Sequence, residues 1–186
     1  MANTVLQQVS VRAMNVDALN CDAVYASANL ANGSVFTRGA LSSTAGEGEL
    51  FTVVQPASGS LTNLWMVYSP EVVDIVTATG ATYRGLSVDP RDFTNIATKP
   101  LAAFKPEVGD LIKITADGIT GGALSALTVG QHAVAANGVF TLSASVAVIS
   151  GLSFAVRSIT DSITIANAAC GTSKVAAALL ECVAVA

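Results

Sequence analysis

The stretch Phe104-Lys105-Pro106-Glu107-Val108-Gly109-Asp110-Leu111-Ile112-Lys113-Ile114-Thr115-Ala116-Asp117-Gly118-Ile119 reads as a turn, a short strand and a second turn. Pro106 lacks a backbone donor and has a fixed φ, which places it outside a strand interior. Gly109-Asp110 makes a corner that launches a strand over Leu111–Thr115. Asp117-Gly118 supplies the positive-φ positions of a tight hairpin.

The chain changes character across this stretch. Residues 1–118 hold 7 of the 9 basic and 11 of the 13 acidic residues, so the last third is almost uncharged. There, alternation takes over. Phe140, Leu142, Ala144, Val146 and Val148 fall on one face, and Thr141, Ser143 and Ser145 on the other. That is the period of a strand with one buried face. Further strands are expected over Leu124–Val129, His132–Ala136, Phe154–Ile159 and Ser162–Ala166. Val175–Val185 reads as a helix or a strand. Asn137-Gly138 marks a hairpin, and Asn32-Gly33, in a similar setting, is read the same way.

Upstream, strands are expected at Val35-Phe36-Thr37, Leu50–Val54 and Leu61–Tyr68. In the last of these, Leu64, Met66 and Tyr68 oppose Trp65 and Val67. Val72–Thr77 precedes Gly80 at hairpin distance. Thr44–Glu49 is a loop by composition. Residues 1–30 suit a short helix near Val16–Ala28 or an extended arm, read either as a frayed terminus or as an arm that orders on a neighbouring subunit.

The expected fold is mainly β. Residues 1–34 form an extended N-terminal arm, 35–104 a β-rich irregular region or small domain, and 105–186 a small β-barrel. Closure protects edges that lack Lys or Glu.

The bulk numbers narrow the function. The 186 residues are 52% hydrophobic but only 12% charged, against about 25% in average domains. Such a surface carries little repulsion between subunits. A net charge of −4 with no basic stripe argues against a grip on nucleic acid. The mean hydropathy of +0.59 comes with no run of about 18 apolar residues, so no membrane helix is expected. Nor does the N-terminus read as a secretory signal. Cys21, Cys170 and Cys182 are three, far apart and without a CxxC pair, which fits free thiols better than a zinc site or disulfide framework.

Chemistry-bearing constellations are scarce. Asp89 and Asp92 are a candidate acidic pair, but Arg84 and Arg91 nearby favour a turn with local ion pairs. His132 is alone in an apolar β region. Glu47 and Glu49 have no aromatic sugar cleft to serve. Neither GxSxG, HExxH nor GxxxxGK[ST] occurs. No catalytic residue, metal or cofactor is expected. The candidate interface residues are Val5, Val9, Val11, Val16 and Leu19 in the arm, with Trp65 and Tyr83 as aromatic anchors.

Four segments carry a resemblance: Pro106 to Ile114, Leu127 to Val134, Ala136 to Phe140, and the ending Ala177-Ala178-Leu179-Leu180-Glu181-Cys182-Val183. Their Gly-Asp strand start, Leu-Thr-x-Gly step, turn and final apolar strand resemble the capsid decoration (head cement) proteins of tailed bacteriophages. This covers residues 105–186 loosely. The resemblance implies a non-catalytic virion protein on the capsid surface, made in the host cytoplasm. Its implied partners are the major capsid protein and lattice neighbours or further copies. The alternatives are a self-assembling fibre, tail or surface-layer subunit, and a carbohydrate-binding module stacking sugars on Trp65 and Tyr83.

Overall fold

The computed structural model describes residues 3–43, 49–57, 61–76, 79–86, 89–167 and 171–185. Among these residues thirteen strands run in chain order: β1 (Leu6–Ser10), β2 (Asn20–Val24), β3 (Val35–Leu41), β4 (Phe51–Val54), β5 (Leu64–Val67), β6 (Val72–Val76), β7 (Thr82–Leu86), β8 (Pro100–Phe104), β9 (Leu111–Thr115), β10 (His132–Ala135), β11 (Leu142–Ser145), β12 (Ser153–Asn167) and β13 (Gly171–Ala184). Every helical element among the described residues is a three-residue 3-10 turn, and none is long and apolar enough to cross a membrane. The mainly β class therefore stands.

The closed barrel lies earlier in the chain than expected. It is built in the order β2-β4-β3-β5-β8 and closes where β8 pairs with β2 and β5. Residues after 110 instead form an open sheet with β1, in the order β1-β9-β13-β12-β10-β11. A long hairpin accounts for the openness. β12 and β13 pair along almost their whole length, whereas β9 meets β13 only over Ala177–Glu181 and β10 meets β12 only over Ser153–Ala155. The outer half of the hairpin runs past its neighbours. Bulges between Val156 and Asp161 bend it. Ile163, Ile165 and Ala177 pack on Val5, and Lys113 Nζ reaches Asp161 Oδ1 at 2.9 Å.

The N-terminal stretch does not project as an arm. β1 adds to β9 with Leu6 opposite Ile114, and two 3-10 turns, Arg12–Met14 and Asp17–Leu19, lead into β2. Burial of Val5, Leu6 and Val11 against this chain's own sheet supplies the reason.

Two cores result. Strand β5 is buried on both faces. Its Trp65 and Val67 point into the barrel with Phe36, Leu101 and Ala103. Its Leu64 and Met66 point outward, joining Val35 and Phe104 to Ile112, Ile114, Phe154 and Leu180 of the open sheet. The expected alternation across Trp65 is thus present, and it joins barrel to sheet. β6 and β7 form the expected hairpin around Gly80, whose φ is +81°.

The opening stretch keeps its strand. Leu111–Thr115 is β9, and Gly109 takes φ +95° at the corner. Gly118 differs. It lies in a 3-10 turn over Ala116–Gly118 and is not among the positive-φ glycines. It is small because a Cβ there would collide with Ile114 Cδ1 and Thr4 Cγ2. Ile114 is fully buried and cannot give way. Gly118→Ala is expected to destabilise the fold by about 1–3 kcal/mol, measured by urea denaturation.

Four other expectations are corrected. Leu124–Ala126 is a 3-10 turn, and the two strands expected over 154–166 are one. Asn32-Gly33 is a turn without a hairpin, since β4 separates β2 from β3. The buried Asn32 amide instead binds the Ser69 peptide, donating to its O at 3.0 Å and accepting from its N at 2.9 Å. The face Phe140 to Val148 is not buried throughout. Leu142 is buried, Phe140 is half-buried against Tyr25, and Ala144, Val146 and Val148 are exposed. Ser145 ends the strand there. Its Oγ donates to Ala147 O at 2.8 Å and accepts from Ala147 N at 3.3 Å, a local turn that competes with the ladder.

Candidate functional site

Among the described residues the titratable candidates stand apart from one another, each with local partners or none. Asp89 caps the 3-10 turn Pro90–Asp92, accepting from Arg91 N at 2.9 Å, Nε at 3.0 Å and Nη2 at 2.6 Å. The Arg91 side chain holds the Asp89 carboxyl below the usual range, and Asp92 is exposed. This is the turn with local partners. His132 is half-buried on β10, and its Nδ1 has no hydrogen-bond partner among the described residues. Glu49 is exposed, and Glu47 lies outside the described residues. No cluster of three or more His, Cys, Asp or Glu among the described residues could hold a metal.

Cys21 and Cys182 are free thiols, and Cys170 lies outside the described residues. Burial pushes Cys21 up to about 11, with Arg38 partly opposing. Burial, aided by Asp110, pushes Cys182 up to about 12. An unfolded thiol ionises near 9.0. Between these values the unfolded chain has lost protons that the folded chain retains. This contribution to stability is therefore whole below pH 9 and is lost as pH rises towards 11 and 12. Urea midpoints are expected to fall across that window, and Cys182→Ala is expected to flatten the slope.

The candidate interface residues divide. Val5, Val11 and Trp65 are buried within the chain and offer no surface. Leu19 is half-buried, while Val9 and Val16 are exposed. Tyr83 lies on β7, with its side chain outside the described set. Trp65 is only 2% exposed, so it presents no ring face to a sugar.

An uncharged, partly apolar surface lies elsewhere, at the β11 edge. Within the sheet β11 pairs with β10; on its other side Ile119 bridges Leu142 and Thr120 N donates to Leu142 O at 2.7 Å, and the rest of that edge has no ladder partner among the described residues. Val146, 82% exposed, and Val148 follow it. Thr120 Oγ1 lies 2.8 Å from both Thr141 Oγ1 and Ser143 Oγ, giving the edge a hydroxyl rim. Not one charged residue occurs from Gly118 to Val156. No family model, curated protein or solved structure matches the chain. The functional reading therefore rests on this surface and on the sequence.

Alternation assigned Val146 and Val148 to the core, because period 2 identifies a face without saying which strand has a neighbour on its far side.

Proposed function

We propose that this chain is a non-catalytic structural protein of a virion that binds the outside of an assembled capsid and stabilises it. The observation that carries the reading is the uncharged, apolar and hydroxyl-rimmed β11 edge on a tightly packed β scaffold. Docking such a surface desolvates no ionised group, so apolar burial is not offset by that cost. Many copies linked on a symmetric shell would gain avidity from weak individual contacts. Its partner is the major capsid protein, and its place is the capsid surface after synthesis in the host cytoplasm.

Co-sedimentation with tailed-phage capsids assembled without this protein tests the proposal. Saturable binding to intact shells, weak binding to free shell subunits, and raised heat resistance of the shells are expected. Failure to bind intact shells at micromolar concentration overturns it. The two edge strands of one sheet, β1 and β11, the latter bridged only at Leu142, favour a second reading as a self-assembling fibre, tail or surface-layer subunit. Filaments or sheets formed by the isolated protein would favour that reading over the first.

A further inference from the structure

We propose that a cleft against the barrel binds an aliphatic monocarboxylate, with Arg38 as its anion contact. The cleft encloses about 760 Å³, within the range of small-molecule sites. β1, the 3-10 turn Arg12–Met14, β2, β3, β4 and β8 all contribute to it. Most of the wall is apolar, from Met14, Leu41, Phe51, Tyr68 and Phe104. Met14 and Leu41 expose 63% and 56% of their surface, leaving apolar side chains uncovered at the cleft.

Arg38 is held there in an uncommon way. Its guanidinium carbon stands 4.2 Å from the Phe51 ring centroid and 4.8 Å from that of Trp65. The aromatic faces hold the plane of the cation and leave its N–H edge unspent. Among the described residues the Arg38 side chain makes no hydrogen bond and no ion pair. A planar pair of N–H donors beside an apolar wall matches the two oxygens of a carboxylate.

The other charges at the cleft set the charge of the ligand. Asp22 and Glu49 also line it, and neither pairs with Arg38. Two carboxylates facing one guanidinium disfavour a dianion such as a phosphate monoester. A monoanion with an apolar tail uses both the fork and the uncovered wall. This inference stands apart from the capsid reading, and neither depends on the other.

Trp65 is the sole tryptophan and lies under Arg38, so its fluorescence reports on occupation. The intact protein is titrated with decanoate, decanol, decylammonium and decyl phosphate below their micellar concentrations, with equilibrium dialysis as a second readout. Saturable decanoate binding is expected, roughly tenfold or more tighter than decanol or decylammonium. Decyl phosphate as dianion is expected to bind more weakly than decanoate. Arg38→Met should reduce decanoate affinity to that of decanol and leave decanol unchanged. Decylammonium binding as tightly as decanoate, tighter binding of the phosphate, or no saturable binding of decanoate overturns the proposal. The ligand series on the unaltered protein decides the matter even if the variant fails to fold.

Discussion

Phe104→Ala is expected to cost about 3–5 kcal/mol and to lower the stability of barrel and sheet together. Phe104 is fully buried at the end of β8. Its backbone belongs to the barrel, in register with Asn20 of β2 and Met66 of β5. Its side chain belongs to the other core, with Ile112, Ile114 and Leu180. The ring also meets Tyr68 edge-on, at 6.4 Å between centroids and 89° between planes. Truncation therefore opens a cavity at the seam of the two β systems, where neither can collapse without moving the other. Urea unfolding followed by Trp65 fluorescence reports the barrel, and far-UV circular dichroism reports all strands. Coincident transitions are expected in the parent and in the variant. If the variant showed two separated transitions, the shared core would not couple the two halves. Val108→Ala, at an exposed position, should change stability by no more than about 0.5 kcal/mol.

The same seam explains what could be read in the sequence. β9 was legible because Leu111–Thr115 alternates between two corner signals. β5 was legible because its two apolar faces were both visible. The strands that close the barrel were not. β8 begins with Pro100 and runs through Ala102 and Ala103, and β2 is Asn20-Cys21-Asp22-Ala23-Val24, in which Asn20, Asp22 and Ala23 are weak strand formers. Their pairing with each other joins residues about eighty positions apart. The β2–β4 pair is parallel, so no turn chemistry announces it. Closure was thus decided by tertiary context, and the barrel was expected where alternation was cleanest instead of where the ends met. Arg38 was silent for a related reason. Its aromatic seat depends on Phe51 and Trp65 from two other strands and on the β3 irregularity between Arg38 and Leu41. Gly39 within it leaves no room for a Cβ beside Thr52. None of these relations has a fixed sequence spacing.

Asp110→Ala is expected to cost about 3 kcal/mol, by an electrostatic route instead of a packing one. Asp110 is 1% exposed at the corner that launches β9. Its Oδ1 accepts from Arg12 N at 3.0 Å, and its Oδ2 accepts from Glu107 N at 2.8 Å. Its own N donates to Glu107 O at 3.0 Å, and its O accepts from Cys182 N at 2.8 Å. One residue thereby fastens the N-terminal turn, the corner and the last strand. The sequence showed the Gly109-Asp110 corner, whereas the bond to Arg12 spans ninety-eight positions. Alanine keeps the backbone bonds and orphans two N–H donors in a part-buried place. Hydrogen bonds to a charged acceptor contribute about 1.5–3 kcal/mol each, and the local chain can relax to recover some of that. Asparagine is expected to be milder, near 1–2 kcal/mol, because it keeps one acceptor but must turn an NH₂ towards one of the two donors. Amide hydrogen exchange separates this account from a general loosening. Arg12 and Glu107 amides should lose protection in Asp110→Ala beyond the global change, while those of Ile112 and Ile114 should follow the global change alone. Full protection at Arg12 and Glu107 in the variant, with stability within about 0.5 kcal/mol of the parent, would show that the carboxylate does not hold the corner.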